Sequence, residues 1–244
     1  MQDNSTGYTF TVFMSVPIDH SAVFIIIPAF NEQAVIRAVV EDLLPCKYNL
    51  VVVDDGSEKP LENLLTNLPV HLLRHPVNIG QGAALQTGIE FALAKNAEYI
   101  VSFDADGQHH AADIEKLITP LLNDKADIVL GSRFMEGSMH NMPVKRKMLL
   151  NIARVLNFLF TGLWLTDAHN GLRAMNRKAA SSIRLRENRM AHATEILSLI
   201  KKNKLRFTEV PVTVTYTSYS QKKGQALGSG FRIVFDLLLN KIFR

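Results

Sequence analysis

The chain has 244 residues, 47% of them hydrophobic, so it is long enough to bury one large core. Its single cysteine, Cys46, excludes an intrachain disulfide and fits a reducing cytoplasm. The formal net charge of +4 favours anionic ligands, an anionic membrane surface or nucleic acid as partners. No uncharged apolar stretch is long enough to span a bilayer, and residues 1–20 lack the pattern of a secretory signal, so we expect a soluble or peripheral protein.

Short apolar runs alternate with segments of helical periodicity in the first half of the chain. The runs are rich in Val and Ile and lack inner alternation, which is typical of parallel strands covered on both faces. The alternation of the two patterns predicts an α/β fold with a mainly parallel sheet flanked by helices. Strands are predicted at Val23–Ile27, Leu50–Val53, Val70–Leu73, Tyr99–Phe103 and Ile128–Leu130, and helices at Glu32–Leu44, Leu61–Leu68, Gly82–Lys95 and Ala111–Leu122.

The pattern becomes less regular in the second half, where residues 134–145 indicate an irregular loop. Polar residues within the apolar helix predicted at Lys147–Leu165 favour a position on the protein or in the bilayer interface. The remaining predicted elements are a strand at Leu172–Met175, a helix at Ala191–Lys201, a strand at Phe207–Tyr216 and an amphipathic helix at Phe231–Arg244. We expect an N-terminal arm (1–21), one main domain (22–215) and a C-terminal extension (216–244), whose helix packs on the core or contacts a membrane.

Acidic residues follow the fourth predicted strand. Asp104, Asp106 and Gln108 alternate along the chain, so they can share one side of the strand end. Carboxylate and amide oxygens suit Mg²⁺ or Mn²⁺, and such a cation usually carries a diphosphate. An Asp-Ala-Asp sequence also occurs in solvated turns and helix caps, so this motif alone leaves both interpretations open.

Two other motifs follow the first and second predicted strands, at the edge where α/β sheets bind ligands. Pro28 and Phe30 offer a flat apolar surface to a base, and Glu32 opens a helix, so its carboxylate either caps that helix or accepts a hydrogen bond from a nucleoside. Of Asp54 and Asp55, one can accept a hydrogen bond from the ring N–H of a base, while the other fixes the turn that follows.

A glycine-containing segment, Asn78–Gly82, precedes the third predicted helix. Its glycines permit close approach of the backbone, and a helix N-terminus favours negative charge. The Gly-x-Gly-x-x-Gly spacing of a Rossmann phosphate loop is absent, so a generic anion site is the better interpretation.

Five motifs in this order resemble the family 2 glycosyltransferases, which have the GT-A fold. The matching segments are Pro28–Glu32, Val51–Ser57, Asn78–Gly82, Asp104–His109 and Gly131–Phe134. The similarity covers about residues 22–215 and is greatest to the branch that contains dolichyl-phosphate mannose synthase and bacterial polyprenyl-phosphate sugar transferases. It implies a GT-A (Rossmann-like) domain, with an acceptor-side loop and an amphipathic helix in the C-terminal extension.

The resemblance assigns a donor role to one set of residues and a metal role to another. The implied ligands of Mg²⁺ or Mn²⁺ are Asp104, Asp106 and Gln108. The implied nucleotide-sugar-binding residues are Pro28, Phe30, Glu32, Val53, Asp55, Gly82, Asp104, Ala105 and Asp106.

On the acceptor side, Arg133 and Arg146 match two arginines that serve a phosphate acceptor, and guanidinium groups suit phosphate. Asp167 belongs to a matching segment, Asp167–Ala174, and would hold sugar hydroxyls or orient Arg173. The chain departs from the branch after Val212, where the usual Arg and Gly-x-Ser-Lys element is missing. The implied acceptor-binding residues are Arg133, Arg146, Arg173, Glu195, Lys222 and Lys223, and the implied catalytic residues are Asp106, Arg133, Arg146 and Asp167.

The implied reaction is inverting transfer from a UDP-, GDP- or dTDP-linked sugar to a polyprenyl phosphate of the undecaprenyl or dolichyl type. The enzyme would act in the cytoplasm at the inner face of the cell membrane, by peripheral contact or through an integral membrane partner, without nucleic acid. A second possibility is a sugar-hydroxyl acceptor in a surface polysaccharide or lipid-linked oligosaccharide, which would need Asp167 or Glu195 as a base. The sequence also leaves open a nucleotidyltransferase and a non-catalytic nucleotide-sugar-binding module of a membrane complex.

Overall fold

The computed structural model describes residues 18–140, 154–155, 157–159, 161–168, 170–189 and 191–216. Nine strands are described: β1 (Val23–Ala29), β2 (Asn49–Asp54), β3 (Val70–Arg74), β4 (Tyr99–Ser102), β5 (Ile128–Ser132), β6 (Met139–His140), β7 (Arg173–Asn176), β8 (Phe207–Pro211) and β9 (Thr213–Val214). The α-helices with defined bounds are α1 (Ile36–Leu43), α2 (Glu62–Leu65), α3 (Gln81–Ala94), α4 (Asp113–Leu122), α5 (Arg177–Ser182) and α6 (His192–Lys202). Residues 154–155, 157–159 and 161 are also helical.

Seven of these strands form one sheet in the order β3-β2-β1-β4-β7-β5-β8. All neighbouring pairs are parallel except those of β7, which runs antiparallel to both β4 and β5. The predicted mainly parallel α/β architecture is therefore confirmed. The short strands β6 and β9 pair outside this sheet.

Both faces of the sheet are buried, which explains why its strands are continuously apolar. On one face, Ile25, Ile27 and Val52 pack in a cluster with side chains of α1, α2 and α4. On the other face, Ile26 and Val51 pack in a cluster with side chains of α3, α5 and α6. Successive strand residues point to opposite faces, so only a run without alternation can fill both layers.

Several predicted boundaries are wrong, for local reasons. Glu32 does not open a helix, because Asn31 has a left-handed φ of 55° and the Glu32 carbonyl accepts from Val35 N and Ile36 N in a turn before α1. The strand predicted at Phe207–Tyr216 is divided at Val212, since β8 joins the main sheet whereas β9 pairs with β6.

Other elements differ from their predictions in extent. The helix predicted to reach Leu165 ends at Gly162, where φ is 71° and the amide donates to the Phe158 carbonyl at 2.7 Å. Helix α2 is half the predicted length, and β6 lies in the segment predicted to be irregular. The short helix α5 was not predicted; the Asn176 side chain caps it by accepting from Ala179 N at 2.9 Å.

The packed part of the chain begins before the predicted start of the main domain. His20 stacks on Tyr48 with ring centroids 5.0 Å apart, so residues at the end of the predicted N-terminal arm pack on the domain. Residues 1–17 and the predicted helix at Phe231–Arg244 lie outside the described residues. Among the residues that are described, no helix has both the length and the apolar character required to cross a bilayer.

Helix α3 packs against β1 at Gly88. A Cβ atom built on Gly88 would lie 2.1 Å from Ile26 Cγ2, and Ile26 is a fully buried, β-branched strand residue that cannot turn aside easily. We expect Gly88→Ala to lower the free energy of unfolding by about 1–3 kcal/mol in urea denaturation, despite the higher helix propensity of Ala. The exposed Glu90→Ala on the same helix is the control, with a change within about 0.5 kcal/mol. Equal stability of Gly88→Ala and wild type would contradict this packing.

Asp127 joins the starts of β5 and β8 to the end of β7. Its carboxylate accepts from Arg206 N at 2.9 Å and from Arg206 Nη2 at 3.1 Å, and from Asn176 Nδ2 at 3.3 Å. The hydrogen bonds from Arg206 lower the pKa of Asp127 far below its usual range. A depressed native pKa contributes stability above the unfolded pKa of about 3.9, and that stability is lost as pH falls towards the native pKa.

We therefore expect Asp127→Asn to be less stable than wild type at pH 7, with the difference shrinking as the pH falls below about 4. Thermal unfolding across this pH range measures it. A difference between the two proteins that stays constant from neutral to acid pH would show that the Asp127 charge does not contribute in this way.

Candidate active site

The loop after β2 contains the two aspartates whose roles the sequence left open. Asp54 fixes the turn, because its carboxylate accepts from Ser57 N at 2.9 Å and from Leu61 N at 3.4 Å. The Ser57 hydroxyl in turn accepts from Asn31 N at 2.9 Å, which ties the loop after β1 to the loop after β2. Asp54 is therefore the turn residue of the pair.

Asp55 is buried, and it holds a neighbouring loop. Its carboxylate accepts from Ile79 N at 3.0 Å and Gly80 N at 2.7 Å, and it also shares a 2.8 Å hydrogen bond with His75 Nδ1. The other ring nitrogen of His75 lies 2.9 Å from the Thr87 hydroxyl on α3. Asp55 thus organises the segment before α3, and its place in a base pocket stays a prediction.

The N-terminus of α3 is covered by a loop from the second half of the chain. Gly82 N and Ala83 N donate to the Asn188 carbonyl at 2.7 and 3.3 Å. A Cβ atom at Gly82 would lie 2.0 Å from the Glu187 carbonyl, so only glycine allows this approach. The Glu195 carboxylate holds the same loop by accepting from the amides of residues 186 and 187 at 2.9–3.0 Å. Gly82 and Glu195, predicted to bind different ligands, meet at one loop.

The remaining donor-side residues surround the ends of β1 and β2. Phe30 is partly exposed and Pro28 is half-buried, whereas Glu32 is buried. The side chain of Val53 is fully buried in the core on the α3 side, and the place of Val53 in a base pocket stays a prediction.

The predicted metal ligands lie together after β4. Asp104 accepts from Gln81 Nε2 at 3.0 Å and from His109 Nε2 at 3.2 Å. Asp106 accepts from Gln108 N at 3.1 Å and from the Gln108 side-chain amide. Ala105, the residue between these two aspartates, is buried.

The two carboxylates have opposite electrostatic environments. Burial raises the pKa of Asp104, but the hydrogen bond from His109 and the nearby positive charges outweigh it, so the pKa of Asp104 lies below its ordinary value. Burial and the charge of Asp104 raise the pKa of Asp106 above its ordinary value. A divalent cation beside both groups would relieve their repulsion.

The donor set fits a hard cation. Two carboxylates and the Gln108 amide oxygen are the oxygen ligands that Mg²⁺ and Mn²⁺ prefer. Within the ranges that the structure describes, no group of three His, Cys, Asp or Glu side chains is arranged to hold a metal ion. Asp104, Asp106 and Gln108 are therefore the candidate ligands, with an amide as the third donor.

A buried ion pair forms the other side of the site. Arg133 Nε and Nη2 donate to the two oxygens of Asp167 at 2.6 and 2.8 Å, and Arg133 N donates to the same carboxylate at 3.1 Å. A further guanidinium nitrogen, Nη1, donates to the Tyr216 hydroxyl at 3.0 Å. Burial lowers the pKa of Arg133, but the pair with Asp167 overcomes this and raises it. Asp167 is thus held by Arg133, and its predicted role, holding sugar hydroxyls or orienting Arg173, stays a prediction.

Arg173 lies buried in β7, where its Nε donates to the Asn170 carbonyl at 3.0 Å. Burial lowers the pKa of Arg173 to about 10, against the opposing charges of Asp104 and Asp167. The Asp167–Ala174 segment, to which Arg173 belongs, approaches the candidate metal ligands closely, because a Cβ atom on Gly171 would lie 2.2 Å from Asp104 Oδ2. Its role in acceptor binding stays a prediction.

Sequence reasoning missed three residues of the site. Glu209 on β8 accepts from Thr166 N at 2.9 Å, from the Thr166 hydroxyl at 2.7 Å and from Asp167 N at 3.0 Å. Tyr216 was assigned to the extension beyond the domain. His192 is buried near Asp104, and burial lowers its pKa. Of these three residues, only Glu209 had a signal in the sequence, because it is an acidic residue within the strand Phe207–Pro211.

Three residues predicted to bind the acceptor, Arg146, Lys222 and Lys223, lie outside the described residues.

Comparison with known proteins assigns the class. The glycosyl transferase family 2 model matches residues 24–184, and the chain belongs to this family, as its five motifs predicted. It is a glycosyltransferase.

Among its relatives, the chain is 37% identical over 241 residues to the UDP-N-acetylglucosamine–dolichyl-phosphate N-acetylglucosaminyltransferase of Methanococcus voltae, with 90% of this chain and 96% of that protein covered. It is 26% identical over 218 residues to the polyprenol monophosphomannose synthase of Mycolicibacterium smegmatis, with 85% of this chain and 82% of that protein covered.

A solved structure has the same fold. Glucosyl-3-phosphoglycerate synthase from Mycobacterium tuberculosis, in complex with Mn²⁺, UDP and glucosyl-3-phosphoglycerate, superposes with a TM-score of 0.69 and 20% identity. The superposition covers 91% of this chain and 80% of that one. The predicted GT-A fold is confirmed.

Glu209 provides a test of how Asp167 is held. We expect Glu209→Gln to be roughly 1–3 kcal/mol less stable in urea denaturation, because one acceptor oxygen becomes an NH₂ group that faces the Thr166 amide, and the hydrogen bonds to the other oxygen lose the carboxylate charge that strengthens them. Glu98→Gln, an exposed residue at the opposite end of the sheet, is the matched control and should change little. If both variants unfold at the same urea concentration as wild type, the Glu209 hydrogen bonds do not stabilise the fold.

Proposed function

We propose that the protein transfers a sugar from a nucleoside diphosphate to a polyprenyl phosphate, with inversion at the anomeric carbon and with help from Mg²⁺ or Mn²⁺. The observation that carries the proposal is the close approach of the Asp167–Ala174 segment to the candidate metal ligands, since a Cβ atom on Gly171 would lie 2.2 Å from Asp104 Oδ2. Two groups of charged side chains, one suited to a diphosphate and one suited to an acceptor phosphate, therefore belong to one site.

The donor side would be held by the first group. Asp104, Asp106 and Gln108 would ligate the cation, and Phe30 at the end of β1 would offer its exposed ring to the base. When bound, the cation supplies charge neutralisation for the departing nucleoside diphosphate. Mn²⁺ and Mg²⁺ are both found with UDP in solved structures of glucosyl-3-phosphoglycerate synthase, which supports the choice of ion.

The acceptor side favours a phosphate over a sugar hydroxyl. A hydroxyl acceptor needs a general base, and the two candidates are Asp167 and Glu195. Both oxygens of Asp167 accept from Arg133, and the oxygens of Glu195 accept from backbone amides. A polyprenyl phosphate already carries an anionic oxygen, so no base is required and catalysis rests on placement and electrostatic stabilisation.

Arg133 would place that phosphate. A guanidinium group has five N–H donors in a planar fork, and three of those of Arg133 are used by Asp167 and Tyr216. The ion pair fixes the plane of the Arg133 guanidinium group. Its two remaining N–H groups would bind the acceptor phosphate from that fixed plane. Arg146, predicted to act beside it, lies outside the described residues.

The relatives support the same acceptor class. The names of the Methanococcus voltae and Mycolicibacterium smegmatis proteins specify a dolichyl phosphate and a polyprenol monophosphate product. Because such acceptors are membrane lipids, we place the protein at the inner face of the cell membrane, in peripheral contact with it or with an integral membrane partner.

The direct test is a transfer assay with a panel of nucleotide sugars, a short-chain polyprenyl phosphate and Mg²⁺ or Mn²⁺. A thermal-shift measurement with the same panel identifies the donor first, since selective binding stabilises the native state. We expect one donor to give a lipid-phosphate-linked sugar. Transfer to an oligosaccharide hydroxyl with no reaction on the lipid phosphate would replace this function by polysaccharide or oligosaccharide glycosylation.

Asp106→Asn tests the metal-assisted step. Because the amide no longer carries the charge that the cation needs, we expect kcat for transfer to fall by about 10²- to 10³-fold at saturating Mn²⁺. Asp124→Asn alters an exposed carboxylate that pairs with Arg206 just before β8, at the opposite end of the sheet from the site. It is the control and should keep wild-type turnover. Full turnover by Asp106→Asn would remove Asp106 from the metal site.

A further inference from the structure

Among the described residues of the helical segment before Asp167 and the turn that follows it, four apolar side chains lie outside and two polar side chains lie inside. Val155, Phe158, Leu159 and Trp164 are 48%, 39%, 66% and 58% exposed, and we call these four residues the apolar patch. Asn157 and Thr161, on the opposite side of the segment, are only 4% and 3% exposed. A helix that packs on a protein core in water has the reverse arrangement. This segment is built for an apolar environment on its outer side.

Cationic groups border the apolar patch. The Arg154 guanidinium carbon lies 4.7 Å from the centroid of the Trp164 ring, and Phe158 packs edge-on against the same ring with centroids 5.3 Å apart. A Cβ atom on Gly162 would lie 2.3 Å from Lys201 Nζ, so the Lys201 ammonium lies beside the end of the segment. Aromatic rings flanked by Arg and Lys are typical of side chains at a bilayer–water interface.

We propose that the apolar patch docks the enzyme onto the surface of an anionic lipid bilayer. The proposal rests on the proposed function, because a polyprenyl phosphate acceptor is presented at such a surface. Arg154 and Lys201 would face the anionic headgroups while the four apolar side chains enter the interface.

The size of the patch favours a bilayer over a second copy of the chain. With aromatic side chains offering 150–250 Å² each, the exposed fractions of these four residues amount to roughly 400 Å². A stable protein interface needs about 800 Å² from each partner. Partial insertion into a lipid interface has no such threshold, since its strength grows with the apolar area and with the attraction of cations to the surface.

The patch is also close along the chain to the acceptor side of the site. Trp164 precedes Asp167 by three residues, and three residues span at most about 11 Å. A lipid phosphate in the bilayer surface below the patch would therefore lie near the Arg133–Asp167 pair. Docking by this patch would bring the acceptor to the site without a membrane-spanning helix among the described residues.

Trp164 makes the proposal directly measurable, because the sequence contains one tryptophan. Its emission therefore reports on the patch alone. The full chain is titrated with vesicles of phosphatidylcholine, with and without phosphatidylglycerol. We expect a blue shift of the emission and quenching by brominated acyl chains, both stronger with phosphatidylglycerol.

Two charge insertions give matched variants. Leu159→Glu places a carboxylate in the patch, and Phe207→Glu places one on an exposed apolar side chain outside the patch, at the start of β8. Burying one leucine side chain is equivalent to about a tenfold change in partition, so Leu159→Glu should bind vesicles at least about tenfold more weakly. Phe207→Glu should bind as wild type does.

The outcomes separate docking from catalysis. Leu159→Glu should keep wild-type transfer to a water-soluble short-chain polyprenyl phosphate while losing transfer to vesicle-borne acceptor. Unchanged vesicle binding by Leu159→Glu, or no change in Trp164 emission with vesicles, would overturn the proposal. A shift of Trp164 emission with protein concentration alone, with dimers in sedimentation, would assign the patch to a second copy. If no acceptor phosphate is glycosylated but vesicle binding follows these expectations, the proposed function fails and the docking surface remains.

Discussion

The ion pair between Arg133 and Asp167 is the interaction around which the site is arranged, because two buried charges need several partners to repay their lost hydration. Removing such ions from water costs several kcal/mol each, so a pair survives only with excellent geometry and further hydrogen bonds. Here the two side chains meet in a bidentate contact, Tyr216 bonds the guanidinium, and Glu209 holds the Asp167 backbone. The end of β5, the strand β8 and the chain beyond β9 are thereby drawn to one point.

A second rule governs the other acidic residues of the domain, which hold loops through backbone amides. Asp54, Asp55, Asp113, Glu195 and Glu209 each accept from amides of a distant or following segment. Such contacts satisfy loop donors that would otherwise be buried without an acceptor. Asp106 likewise accepts from Gln108 N within its own turn, whereas the partners of Asp104 are the side chains of Gln81 and His109. Both carboxylates follow β4, at the edge where α/β sheets bind ligands.

The sequence does not indicate which partner a residue takes where it has more than one. The Asp167–Ala174 segment brings Asp167 and Arg173 close in sequence, yet Asp167 bonds Arg133, which is 34 residues away. Glu195 and Gly82 were predicted to contact ligands, and the structure shows a loop at 186–188 between them. Glu209 carried almost no signal, since a single acidic residue in a strand does not indicate which backbone it will meet. Each of these contacts joins distant segments, and local pattern contains no information on them.

The sequence by itself determined the strands, most helices, the sheet edge where the polar motifs gather, and the Asp104–Asp106–Gln108 triplet. These follow from local periodicity and from the rule that parallel strands end at one edge. Only the tertiary structure decided that Asp55 holds a loop, that Asp167 pairs with Arg133, and that β7 runs antiparallel between β4 and β5. It also decided which side of the segment 154–161 faces outward. The physical reason is that hydrogen-bond partners and exposure depend on which distant segments meet, and that is fixed only when the whole core packs.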